Sequence, residues 1–169
     1  MFDRFTKYIL NPESILQDEF KWLRNATSGA VVFGEKYEGP AYKYDVKSMY
    51  PSIYMSYGKI PIKRGEFRTL SQKMLKNMDY YNFGIYRCVV EQSQDKNINK
   101  LFKFNKLNYY THISLEQAKS LNLSIKMIED NQPNNLFYSK DKVIGYNEVF
   151  TEYTKFLFEL KEKKIPDYY

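Results

Sequence analysis

The chain has one cysteine, Cys88, and one histidine, His112. A single cysteine excludes an intrachain disulfide and a cysteine-rich zinc site, and one histidine cannot build a histidine-based metal cluster. Cys88 lies in the strand-like run Ile85-Tyr86-Arg87-Cys88-Val89-Val90, where a buried structural thiol is expected. His112 is expected to be a packed or surface residue. No stretch is apolar and long enough to span a bilayer, so no membrane partner is expected. The N-terminus carries acids among its first residues and has no short apolar core of the signal-peptide kind. These absences together point to an intracellular, reducing setting.

Aromatic residues and positive charge are abundant. Seventeen tyrosines and twelve phenylalanines supply nearly all of an 18% aromatic fraction, and 26 Lys and Arg face 20 Asp and Glu. A basic, tyrosine-rich surface suits a polyanion, because Lys and Arg displace counterions from phosphates and rings stack on bases. AT-rich coding, which favours Lys, Asn, Ile and Tyr, produces the same composition without any ligand. At 169 residues the chain is long enough for one core, and an autonomous domain of this size buries roughly 70% of its unfolded surface.

Periodicity divides the chain. Phe2, Phe5, Tyr8 and Ile9 share one helical face, and Ile15, Leu16, Glu19, Phe20 and Leu23 predict an amphipathic helix over Pro12 to Asn25. Val31-Val32-Phe33 reads as a strand, residues 34–40 as a hairpin turn, and the alternation through Ala41 to Val46 as a second strand. Tyr50-Pro51-Ser52 then turns into a short helix, with Pro51 at its start and Gly58 beyond its end. A basic segment follows over 59–76, with Lys59, Lys63, Arg64, Arg68, Lys73 and Lys76 against Glu66 alone. Met74, Leu75 and Met78 give its end helical character. A strand is expected over 81–90, and a second basic segment, with Lys96, Lys100, Lys103 and Lys106, contains no acid. Both basic segments read either as solvated faces or as polyanion contacts. Residues 107–130 read strand, helix, strand, with Ser114 as N-cap and Gln117 completing a capping box, and 131–135 reads as a loop. Asn147 to Lys164 is an amphipathic helix with Lys161, Lys163 and Lys164 at its end, as the helix dipole favours.

The stretch that organises the chain is Asp45-Val46-Lys47-Ser48-Met49-Tyr50-Pro51-Ser52-Ile53. A carboxylate at the end of an extended run, followed by a turn into a helix, suits a cation and a phosphate together. A plainer reading of the same residues is a buried Asp capping a helix, with Tyr and Pro as packing. As a string the stretch resembles the first palm motif of family B DNA polymerases, Asp-x-x-Ser-Leu-Tyr-Pro-Ser-Ile. Met49 for Leu is the one departure and conserves volume.

The resemblance implies an α+β fold in which a partial palm of antiparallel strands with helices occupies 1–58. A small α/β insertion would occupy 59–145, and 146–169 would be the start of the fingers helix. It implies template-directed dNMP transfer to a primer by a two-Mg²⁺ site. Asp45 would be the catalytic carboxylate and metal ligand, and the Val46 carbonyl a further metal ligand. The amides of Ser48 and Met49 would face the triphosphate, and Tyr50 would lie under the sugar and exclude a 2′-hydroxyl. In the family a Tyr-x-Gly-Gly element steers template between polymerase and exonuclease sites. Its counterpart here, Thr27-Ser28-Gly29-Ala30, lacks the tyrosine and one glycine, and implies DNA contact by Ser28 and Gly29; an ordinary loop is the alternative. Lys63 and Arg64 join them as candidate DNA contacts. The insertion position is that of protein-primed members, where it meets a terminal protein primer and template duplex. No Lys-x-x-x-Asn-Ser-x-Tyr-Gly fingers motif and no Asp-Thr-Asp palm motif follows. The second carboxylate that a pair of metal ions about 3.5–4 Å apart requires therefore has no candidate. Asp79 lacks a paired aspartate. The expected protein is a partial polymerase whose exonuclease, fingers, second palm motif and thumb lie elsewhere. The competing expectation is a non-catalytic relic or basic DNA-binding module that keeps the palm fold.

Overall fold

A computed structural model of the chain describes residues 13–29, 32 and 34–162. In chain order the elements are α1 (Gln17–Ala26), α2 (Met49–Tyr54), β1 (Lys59–Pro61), β2 (Glu66–Arg68), α3 (Gln72–Lys76), β3 (Gly84–Val90) and α4 (Lys96–Lys100). They continue with β4 (Tyr109–Thr111), α5 (His112–Ser120), β5 (Ile125–Met127), β6 (Asn135–Phe137), β7 (Val143–Gly145) and α6 (Tyr146–Glu162). A single 3-10 turn, Lys140–Lys142, precedes β7. The architecture is mixed α+β with antiparallel strand pairing. Among the described residues, those within 14–37 and 64–139 form one compact unit; residue 13 and those within 38–63 and 140–162 form the other.

The first unit is organised by β3, which pairs with β4, β5 and β6, while β2 extends the sheet beyond β6. Five of the seven β3 positions are buried, and Tyr86 and Cys88 are completely enclosed. Around them pack Leu75, Phe102, Tyr110, Leu115, Ala118, Leu123 and Met127. Gly84 is required where β3 meets β6, because a Cβ there would stand 2.2 Å from the Leu136 carbonyl oxygen. On the other side α1 lays Trp22 edge-on against Phe67 and Tyr109, with centroids 5.4 and 5.1 Å apart. Glu19, buried on the same helix, accepts from the Tyr138 hydroxyl at 2.7 Å and the Gly65 amide at 3.0 Å. A buried carboxylate with two donors in place ties α1 to the sheet.

In the second unit, β1 and β7 form a two-stranded ribbon with Lys59 opposite Gly145, and α2 packs on α6. Met55 caps the end of α2, and Gly58 beyond it lies under the Tyr146 ring, where a Cβ would lie 2.5 Å from ring carbons. Tyr54 and Phe150 carry the helix contact, 4.8 Å between centroids.

Several expectations change. The helix expected from Pro12 begins at Gln17, and Leu16 is extended. Arg64 explains the delay: it donates to the Ser14 carbonyl at 2.8 Å and hydroxyl at 3.0 Å, which holds this entry out of the helix. The first helical face (Phe2, Phe5, Tyr8, Ile9), Pro12, most of the strand 31–33, and Lys163 and Lys164 lie outside the described residues. Residues 41–46, expected as a strand, pair with no strand among the described residues; Tyr42 is 87% exposed and Tyr44 89%. Alternation gives a segment two faces, but only neighbouring strands complete its backbone hydrogen bonds. Helix α5 is capped by Thr111, not Ser114: the Thr111 hydroxyl accepts the Ser114 amide at 3.2 Å, so the helix starts at His112. His112 packs on Phe83, and its Nδ1 accepts the Gly84 amide at 3.4 Å.

Cys88 is buried, and desolvation pushes its thiol up to about 12 from an ordinary 9.0. Burial likewise raises the phenols of Tyr86 and Tyr138, Tyr138 further through its bond to Glu19. Between about pH 9 and 12 the unfolded chain releases protons that the folded chain retains, so stability falls as pH rises through that window. Urea midpoints are expected to be lower at about pH 10.5 than at about pH 8. At the lower pH the native thiol is expected to resist alkylation until denaturant is added. Equal midpoints together with rapid native labelling would contradict this burial.

Candidate functional site

The turn from Asp45 into α2 has an unusual backbone. Ser48 adopts φ 56°, ψ 39°, in the left-handed region, as the residue before the helix. The three other described non-glycine residues with positive φ are asparagines, which tolerate this conformation through local side-chain bonding. Serine has less of that tolerance, so the surroundings must hold it there. Part of the hold is visible. The Ser48 carbonyl accepts both the Ser52 amide and the Ser52 hydroxyl, each at 3.0 Å, fastening the first helical turn. Pro51 falls inside that turn, where its missing N–H leaves no intrahelical bond unmade. No sequence signal marks the left-handed serine, because serine is not a residue that favours it.

Asp45 is exposed, and its Oδ1 accepts the neighbouring Val46 amide at 2.9 Å. It is neither buried nor the cap of α2, so the plainer reading of a buried capping aspartate fails. The Ser48 side chain makes no cap bond either, leaving the entry to α2 without side-chain capping. Met49 and Tyr50 are both exposed, Tyr50 to 68%. The turn thus brings together, within one short stretch, a solvated carboxylate, a carbonyl beside it and an exposed phenol. The donors at Asp45 and Val46 are hard oxygens of the kind Mg²⁺ prefers. Their number is short of a two-ion site, and no group of three or more His, Cys, Asp or Glu side chains fit to hold a metal occurs among the described residues.

The other candidates are placed separately. Lys63 follows β1 in the second unit and is exposed. Arg64, in the first unit, is engaged with Ser14. Ser28 and Gly29 are exposed and lie beside the second basic segment: a Cβ on Gly29 would stand 3.5 Å from Lys103 Nζ. Asn105 Nδ2 donates to the Asn25 carbonyl at 2.7 Å, and Lys100 pairs with Glu35 at 3.2 Å, so this basic segment is tied to Asn25 and to Glu35. No helix among the described residues is long and apolar enough to cross a membrane.

Residues 1–164 match the family model of DNA polymerase type B, organellar and viral. No curated protein and no solved structure matches the chain. A match over nearly the whole length, which includes the exposed Asp45 turn, means that this chain belongs to the organellar and viral type B DNA polymerases.

Proposed function

We propose that the turn at Asp45 to Ser52 is the nucleotide-facing half of a polymerase palm that works in template-directed dNMP transfer to a DNA primer. The left-handed Ser48, strained between an exposed carboxylate and a fastened helical turn, carries this reading. Asp45 and the Val46 carbonyl would hold Mg²⁺, which when bound neutralises the charge on substrate phosphates. The amides of Ser48 and Met49 would face the triphosphate, and the ring of Tyr50 would set the sugar. Ser28, Gly29, Lys63 and Arg64 are proposed DNA contacts. Their support is uneven, since Arg64 is already bonded to Ser14 whereas Ser28 and Gly29 sit by Lys103.

Residues 59–145 are proposed to correspond to the insertion of protein-primed members, with a terminal protein primer as its partner. Residues 146–169 are proposed to lead to the fingers. The exonuclease, fingers, second palm motif and thumb would complete the enzyme. A second reading, a DNA-binding module that keeps the fold without turnover, is favoured by the lack of a metal-binding carboxylate cluster among the described residues.

One measurement tests the missing carboxylate, and a second separates these readings. The purified chain is expected not to extend a primer with Mg²⁺ and dNTPs, for want of the second carboxylate; robust extension would overturn that assignment. Calorimetric titration is expected to show dNTP binding that requires Mg²⁺. Binding indifferent to Mg²⁺, or DNA binding with no dNTP binding, would favour the module instead.

A further inference from the structure

A cleft of about 400 Å³ opens in the first unit where α1 faces β2, β3 and β4. Its walls include Trp22, Phe67 and Tyr109, together with Arg87, Asn25 and Gln132. That volume lies within the about 300–1,000 Å³ range of small-ligand pockets, which is room for a single planar group and not for a helix. The rings meet edge to face, Trp22 at 68° to Phe67 and 83° to Tyr109, so the rings of the wall lie in more than one plane.

The polar groups restrict what enters. Arg87 is pinned by Asp130, which also accepts the Gln132 amide at 3.2 Å, so guanidinium and loop are held together. Arg87 Nε is buried and has no acceptor among the described residues. At the rim Lys21 lies 3.5 Å from Asp18. Both cations of the cleft therefore have a carboxylate beside them, which disfavours a phosphate inside it and favours a neutral ring with carbonyl acceptors on its edge. The surrounding unit is nonetheless basic, with fourteen Lys and Arg against ten Asp and Glu. Its surface attracts a polyanion while the cleft accepts something uncharged.

We infer that this cleft is a nucleobase pocket, taking one unpaired base of a single-stranded DNA whose phosphates run over the basic surface around it. Stacking on Phe67 or Tyr109, beside the buried Trp22, supplies the affinity, and base carbonyls meet the Arg87 and amide donors. The inference rests on the polymerase reading for its DNA, but concerns a site remote in sequence from Asp45.

Trp22 is the chain's one tryptophan, so its emission reports on this cleft alone. The full chain is titrated with a labelled thymidine decamer and with an abasic decamer of equal charge, following label anisotropy and Trp22 emission together. The thymidine strand is expected to bind about 5- to 150-fold more tightly than the abasic strand, as expected for one stacked base. It is also expected to quench Trp22 saturably, and Tyr109→Ala and Gln132→Ala should each weaken that quench. Equal affinity for the two strands, or binding that leaves Trp22 emission unchanged, would overturn the pocket while leaving DNA binding intact. Absence of binding to either strand would overturn both. The comparison of strands uses the unaltered chain, so it stands even if a variant misfolds.

Discussion

Asp45→Asn is expected to lower nucleotide incorporation by at least about 10²–10³-fold when this segment acts in a polymerase that also carries the second carboxylate. Loss of one positioned electrostatic group costs about that much turnover in other enzymes. The substitution is clean in this setting. Asp45 is exposed, and its Oδ1 accepts the Val46 amide at 2.9 Å. An amide oxygen still accepts that N–H, so the turn keeps its shape while the charge and the metal donor disappear. Thermal midpoints of parent and variant should agree within a degree or two, because surface changes of this kind stay within about 0.5 kcal/mol. Tyr50→Val tests the other end of the turn: with its exposed ring removed, ribonucleotide incorporation relative to deoxyribonucleotide should rise roughly 10- to 200-fold. Full incorporation by Asp45→Asn would remove the carboxylate from the mechanism. Unchanged sugar selectivity in Tyr50→Val would remove the phenol from it.

The features legible in the sequence were those written locally. The string from Asp45 to Ile53 needs no tertiary information, and α6 and β3 announce themselves by long, strongly patterned runs. Strands β1, β2, β6 and β7 are three residues each, too short for a period of two to register, and they exist because distant segments pair. The opposite error arose at 41–46, where a good alternating pattern had no neighbour to pair with. Thr111 and Ser114 are both competent caps, and the choice between them depends on where β4 lets go of the chain. The left-handed Ser48 and the cleft at Trp22 were illegible for the same reason. One is imposed by bonds from Ser52 to the Ser48 carbonyl, and the other gathers residues from α1, three strands and a loop.

Asn134→Ala is expected to destabilise the first unit by about 3–5 kcal/mol. Asn134 is fully buried, and its amide works on both sides. Oδ1 accepts the Leu70 amide at 2.7 Å; Nδ2 donates to the carbonyls of Leu70 at 2.9 Å and Ile128 at 3.1 Å. Its backbone continues the same seam, donating to the Arg68 carbonyl at 3.0 Å and accepting the Arg87 amide at 2.8 Å. Truncation leaves one buried N–H and two carbonyls short of a partner, each costing about 1–3 kcal/mol, and relaxation recovers only part of that. Asn134→Asp keeps the acceptor but turns both donated bonds into oxygen facing oxygen, so it should be no milder. By contrast Asn97→Ala, on the exposed face of α4, should shift stability by less than about 0.5 kcal/mol. Urea unfolding followed through Trp22, which sits in the same unit, measures all three. If Asn134→Ala matches Asn97→Ala, the seam through Leu70 and Ile128 does not hold this unit together, and the packing around β3 must do so without it.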